Sequence, residues 1–177
     1  MAIYLSLEMA DELVKFAEND SIYEDAVKAM ASAILNHYSL LSDGFSVSPE
    51  QNRINNCPDF ILRILRIQRR FSGDRSVVDH TVAEATSSTD NLDEAMDQLG
   101  NALENANTEF GRCWALMVRG PDFMFYEYHA NLPVNQRLVP WGPATEPNRN
   151  VFHARHNCVA IDWMLRHMQT HNTPQPR

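Results

Sequence analysis

The chain has 177 residues, of which 44% are hydrophobic and 21% charged, and these proportions exclude an intrinsically disordered chain. The formal net charge of −8 argues against diffuse attraction to nucleic acid or to an anionic membrane surface. This length suits one domain whose core needs no disulfide or metal, so we expect a single domain over residues 1–177.

Cysteine usage and the N-terminal segment favour a cytoplasmic protein. Cys57, Cys113 and Cys158 lie far apart and form no CxxC pair, so neither a disulfide framework nor a zinc knuckle is predicted. The segment from Met1 to Phe16 lacks the basic region of a signal peptide. No apolar run approaches the roughly 20 residues that span a bilayer, so no membrane contact is expected.

Helix signals recur along the first half of the chain. A first helix is predicted over about residues 7–18, and the capping box Ser21–Glu24 opens a second helix that Gly44 ends. Ser48 followed by Pro49 is typical of a helix start and predicts a short third helix.

The stretch DFILRILRIQRRF, residues 59–71, predicts a fourth helix with an arginine face. On a helical wheel Arg63, Arg66 and Arg70 align within about 60°, opposite an apolar arc. These arginines either pair with the many acids between residues 81 and 110 or bind phosphate, and they are the candidate nucleic-acid-binding residues. The capping box at Ser76–Asp79 predicts one more helix, through about Ala85.

A long helix is predicted from about residue 90 to residue 119. Apolar residues recur from Leu92 to Met117 at alternating spacings of four and three, and Gly120 stands where a helix would end. A strand in CWALMV is the competing interpretation.

Prolines and aromatic residues set the segment 121–148 apart from the rest of the chain. Five prolines exclude a long element, so we expect irregular structure whose aromatic rings pack on the helices, with room for a short hairpin. Exposure of part of it as a partner-binding surface is the alternative. A last helix over about 150–171 and a flexible tail, 172–177, complete the predicted all-α fold, a bundle of about six helices.

One face of that last helix concentrates residues suited to chemistry. Its buried stripe is formed by apolar residues at alternating spacings, and a different sector collects Arg149, His153, His156, Trp163, His167 and His171. The histidine pairs have spacings suited to two metal ligands, but each pair lacks further ligands and an HExxH context, so no metal is predicted. A partner-binding face and a solvated or locally covered face are the other interpretations.

Arg149-Asn150 followed by His156 resembles the R-x(4–6)-H signature of HEPN-fold ribonucleases. The resemblance implies an all-helical dimer in which arginine and histidine cleave RNA without metal. On this alternative Arg149, His153 and His156 are the catalytic residues, because arginine holds phosphate and histidine moves a proton near neutrality.

The sequence favours a non-enzymatic protein. It contains no GxSxG, P-loop or GxGxxG motif and implies no cofactor. We therefore expect an interaction or assembly protein whose partner is another protein chain or a second copy, with RNA as a further candidate partner through the arginine helix. The HEPN-like ribonuclease is the alternative.

Overall fold

The computed structural model describes residues 3–51, 60–68 and 76–177, and it shows a mixed α/β fold. Within these ranges the chain forms four α-helices: α1 (Glu8–Asn19), α2 (Glu24–Tyr38), α3 (Leu92–Glu104) and α4 (Cys158–Thr170). The same ranges contain seven strands: β1 (Phe45–Gln51), β2 (Phe60–Gln68), β3 (Ser76–Thr86), β4 (Arg112–Arg119), β5 (Asp122–His129), β6 (Leu138–Pro140) and β7 (Val151–His153).

All seven strands belong to one mixed sheet. Strands β1, β2 and β3 are antiparallel, β3 and β4 are parallel, and β4 and β5 form an antiparallel hairpin. Because parallel neighbours need a crossover, the chain passes through α3 between β3 and β4. Strands β6 and β7 both pair with β5, at Tyr126–Tyr128 and Asp122–Met124 respectively.

Helices cover both faces of this sheet and create two hydrophobic cores. Helices α1, α2 and α4 contribute to the larger core on one face, and α3 packs on the other. The alternation of side chains along a strand divides β4 between them. Trp114, Leu116 and Val118 belong to the larger core, whereas Cys113, Ala115 and Met117 belong to the core under α3.

The predicted all-α fold is wrong, because five segments expected to be helical contain strands, the fifth being β7 at the start of the expected last helix. The expected third helix is β1, the arginine helix is β2, and the helix from Ser76 is β3. The expected long helix ends as α3 at Glu104, and its second half is β4, the competing interpretation. The segment CWALMV in β4 is a continuous apolar run, and such a run matches a helical spacing as readily as that of a buried strand. In β1 and β3 the residues typical of a helix start, Ser48-Pro49 and Ser76–Asp79, lie within strands instead.

Other expectations agree with the structure in part. Helix α1 lies within a residue of its predicted bounds. Helix α2 begins at Glu24, but no side chain caps it and it ends at Tyr38 rather than at Gly44. The aromatic segment packs as expected, since Phe123 and Phe125 are fully buried, but it is more regular than expected because it contains β5 and β6. The expected last helix, 150–171, is wrong in its first part, because residues 151–153 form β7 and α4 begins only at Cys158.

In the described ranges, no helix has both the length and the apolar character that crossing a membrane requires.

Candidate functional site

Arg149 does not share a helical face with the two histidines. It precedes β7, whereas His156 lies in the turn between β7 and α4. All three guanidinium nitrogens of Arg149 are engaged: Nε donates to the Val151 carbonyl at 3.0 Å, Nη1 to Glu146 Oε2 at 2.9 Å, and Nη2 to Asn157 Oδ1 at 2.8 Å. Arg149 therefore acts as a clamp that joins the 143–146 segment to the start of α4.

His153 and His156 stack on each other with ring centroids 4.4 Å apart. The backbone N–H groups of Arg155 and His156 donate to Nδ1 of His153, at 3.2 and 3.4 Å. This pattern places the proton of a neutral His153 on Nε2, which faces Glu18 Oε1 at 4.0 Å. The helical bundle that the ribonuclease resemblance implies is absent from the described part of the chain.

The same two histidines and Glu18 form a cluster whose ligand atoms lie within 4.8 Å of one another. Arg155 Nε, however, donates to both carboxylate oxygens of Glu18, at 3.0 and 2.9 Å. A metal ion at this cluster would lie beside that guanidinium and would need the Nε2 of His153 without its proton. These contacts oppose metal binding here and make the cluster a structural ion-pair network.

The arginines predicted to bind nucleic acid are only partly within the described residues. Arg63 and Arg66 are positions of strand β2, so the helical alignment that grouped them with Arg70 is wrong. Arg70 lies outside the described residues.

The other half of the predicted face, Trp163, His167 and His171, does lie on or at the end of α4 and joins an aromatic cluster. All three tryptophans of the chain meet around His167, whose ring centroid lies 5.7 Å from Trp114, 5.2 Å from Trp141 and 5.2 Å from Trp163. His171 stacks on His167 at 3.9 Å, and its backbone carbonyl accepts from the Trp114 indole at 2.9 Å.

Two adjoining cavities open beside this cluster, and together we call them the tryptophan groove. The larger, of about 550 Å³, lies between the segment Pro143–Glu146 and the first turns of α4. The smaller, of about 280 Å³, is lined by the three tryptophans, Glu127 and the two stacked histidines. Trp163 lines both cavities and is 44% exposed, and Val159 on the wall of the larger one is 67% exposed.

Close backbone packing fixes the outer wall of the groove. A Cβ atom at Gly142 would lie 2.0 Å from the carbonyl oxygen of Arg149 and 2.7 Å from that of Glu146, so only glycine fits there. The Arg149 clamp holds Glu146 and the start of α4 at the same time. The groove is therefore a preformed feature of the fold.

Acid–base groups near the groove are poorly placed for catalysis. Glu127 Oε2 accepts from Arg177 Nε at 2.7 Å and lies 3.2 Å from His129 Nε2, but His129 is fully buried and out of reach of a substrate. Burial, and then the neighbouring His171, lowers the pKa of His167 and keeps its ring neutral near pH 7. The aromatic surface is thus the chemically distinctive part of the groove.

Sequence reasoning identified only part of this site. The spacing along the last helix grouped Trp163 with His167 and His171, whereas Trp114 and Trp141 reach them through tertiary contacts that no local pattern records. The PWGP turn, which contains Trp141, was the sequence feature that could have indicated its part in this site. In comparisons with models of protein families, with curated proteins and with solved structures, no match to this chain was found.

Proposed function

We propose that this protein works by binding, as a non-enzymatic interaction or assembly protein, and that its tryptophan groove receives an apolar segment of a different protein. The observation that carries the proposal is the convergence of all three tryptophans on the groove, with Trp163 left 44% exposed. Tryptophan is among the residues most enriched at the energetic centres of protein interfaces.

Charge and shape favour an apolar polypeptide as the occupant. Glu146 on the rim is already paired with Arg149, so the groove wall offers little uncompensated charge to a charged partner. The wall of α4 from Val159 to His167 extends for about 12 Å at a rise of 1.5 Å per residue. An extended peptide covers that distance with about four residues, which suits one large apolar anchor beside Trp163.

Catalysis is less well supported, because the candidate groups already have structural roles. Arg149 is held by three hydrogen bonds, and Nδ1 of His153 accepts from two backbone N–H groups. Nucleic-acid binding through Arg63, Arg66 and Arg70 stays a prediction from the sequence.

The test uses a library of displayed seven-residue peptides selected against the full chain, followed by calorimetric measurement of the selected peptides. We expect peptides with a large apolar anchor, and we expect W163A to weaken their binding by about 30-fold, the loss typical of an interface hot spot. The control is F16A on α1, which removes a similarly exposed aromatic ring away from the groove and should leave affinity unchanged.

Equal binding of the selected peptides by W163A and by the unchanged protein would contradict the proposal. Light scattering over a range of protein concentrations tests whether a second copy is the occupant. A dimer that dissociates in W163A but persists in F16A would also overturn the proposal, since the groove would then be filled by the protein itself.

A further inference from the structure

A second cavity, separate from the tryptophan groove, lies at the start of β4. It has a volume of about 380 Å³ and is lined by Phe110, Arg112, Asn131, Pro176 and Arg177. Two arginines and an exposed aromatic ring therefore face one space. This volume is within the range typical of small-molecule sites.

The turn that presents the aromatic ring is strained. Phe110 and Gly111 have φ angles of 54° and 67°, and Glu109 and Arg112 pair across them. Both central residues of such a tight turn need a positive φ, a conformation that asparagine or glycine adopts easily and a bulky side chain resists. Phe110 is also 76% exposed, so burial of its ring does not offset the strain. Strain without a packing benefit is characteristic of functional sites.

The Nε of Arg112 has no hydrogen-bond acceptor among the described residues. Its guanidinium carbon lies 5.9 Å from the centroid of the Phe110 ring, and its Nε is buried without a hydrogen-bond partner in the described part of the structure. In the same part of the structure, no carboxylate lies within 4 Å of its guanidinium. A ligand in the cavity cannot reach this buried Nε, but the terminal nitrogens of the same guanidinium are suited to hydrogen bonding with an anion.

Arg177 adds a second guanidinium to the cavity wall. Its Nε donates to Glu127 Oε2 at 2.7 Å, which fixes the side chain but neutralises only one of the two arginine charges. The wall therefore presents two guanidinium groups, of which that of Arg177 is paired with a side-chain carboxylate in the described part of the chain. The guanidinium of Arg112 is the one available to an anion.

We propose that this cavity binds a nucleotide, with the phosphate between Arg112 and Arg177 and the base stacked on Phe110. Guanidinium groups bind phosphate oxygens in pairs of hydrogen bonds, and an exposed aromatic ring is a stacking platform for any base. The amide of Asn131 lies at the same cavity and is suited to hydrogen bonding with a base edge or a ribose hydroxyl. The nucleotide is either free or part of a single RNA strand, since both present the same groups.

Calorimetric titration of the full chain at low salt tests the proposal with AMP, adenosine, inorganic phosphate and a six-residue oligoadenylate as probes. We expect AMP to bind more tightly than adenosine or phosphate, and its affinity to fall as salt is raised. Tighter binding of the oligoadenylate than of AMP identifies a strand as the source, whereas equal or weaker binding identifies the free nucleotide.

Two variants and one matched control locate the site. R112Q should weaken AMP binding at least tenfold, and F110L, which changes only an exposed ring, should weaken AMP binding but leave phosphate binding unchanged. The control is R119Q at the other end of β4, where Nε is likewise buried without an acceptor among the described residues but Nη2 donates to the Asp90 carbonyl at 3.1 Å. Absence of AMP binding, or an affinity that both R112Q and F110L leave unchanged, overturns the proposal.

Discussion

His167 shows how a single residue is controlled by its surroundings in the tryptophan groove. Three indole rings and the ring of His171 surround it, so protonation would place a charge in a largely apolar site beside a second histidine. Both effects lower the pKa of His167 below its ordinary value of 6.5, burial being the larger. The neutral ring is therefore the form that packs in the cluster.

This lowered pKa predicts a pH-dependent stability. Because the folded state holds the His167 proton less tightly than the unfolded state, the unfolded state binds more protons as pH falls. The contribution of His167 to the free energy of unfolding is complete above about pH 6.5 and is lost as pH falls through the folded-state pKa. Urea unfolding between about pH 7.5 and pH 5 should show a smaller pH dependence for H167Q than for the unchanged protein. Identical slopes for the two proteins would contradict this assignment.

A second residue-level prediction concerns the hydrogen bond by which Tyr38, at the end of α2, contacts α4. Its hydroxyl donates to Asp162 Oδ1 at 2.5 Å, and Arg166 Nε donates to the other oxygen of that carboxylate at 2.8 Å. Y38F should lower the free energy of unfolding by about 1.5–3 kcal/mol, because hydrogen bonds to charged groups are the stronger ones. In the matched control Y23F the ring is 60% exposed, and urea unfolding should show a change of less than about 0.5 kcal/mol.

Substitution of two glycines by alanine tests the local packing of helix α3 and of the groove wall. An added Cβ at Gly100, inside α3, meets no atom within 4 Å, so G100A should stabilise the protein by about 0.5–1 kcal/mol through helix propensity. At Gly142 the same methyl group meets the Arg149 carbonyl oxygen at 2.0 Å. G142A should cost about 1–3 kcal/mol, since the backbone must move.

Thermal unfolding measures both changes. For a domain of this size, 1 kcal/mol corresponds to a shift of about 2–4 °C in Tm. Tm should rise for G100A and fall for G142A. Equal shifts of the same sign would contradict the claim that an added methyl group fits at Gly100 and clashes with the backbone at Gly142.

The elements differ in how far their own sequence predicts them. Helices α1 and α2 lie at one surface of the sheet and keep an amphipathic pattern, so their sequences predict both helices, although α2 ends at Tyr38 rather than at Gly44. Strands β3 and β4 are almost entirely buried, so neither shows the alternation of apolar and polar residues that marks a half-exposed strand. In β4 the residues are apolar, whereas in β3 buried polar side chains such as Asp79 and Glu84 interrupt the pattern. The turn at Phe110–Gly111 separates α3 from β4. Such turns are usually recognised by asparagine or aspartate before the glycine, and phenylalanine stands at that position here.

In the candidate sites, too, contacts within one helix are predictable from the sequence, whereas contacts between distant segments are not. Trp163 and His167 lie one turn apart in a helix that the sequence predicted over that region, so their proximity was predictable. The contacts of Trp114 and Trp141 with that pair depend on sheet topology, and the pairing of Arg112 with Arg177 around one cavity depends on the path of residues 172–177. The spacing of residues along the sequence therefore predicts neither the tryptophan contacts nor the closeness of the two arginines.

On the scale of the whole molecule, a single sheet contributes side chains to two hydrophobic cores, one on each face. Strand β3 contributes Ala83 to the larger core and Val82 to the core under α3, and β4 divides its side chains in the same way. Loss of either core exposes the opposite side of the same central strands. We therefore expect the two faces to unfold together in one cooperative transition.

L99A tests this coupling from the face opposite the tryptophans. Leu99 is fully buried in the core under α3, and its truncation should cost about 2–5 kcal/mol. If the sheet couples the two cores, the urea midpoint measured by tryptophan fluorescence, which reports on the groove side, must fall as far as the midpoint measured by far-ultraviolet circular dichroism. The control V134A, at a position 71% exposed, should move neither midpoint. A fluorescence midpoint that stays in place while the dichroism midpoint falls would show that the α3 face unfolds alone. The tryptophan groove would then stay folded without the core under α3.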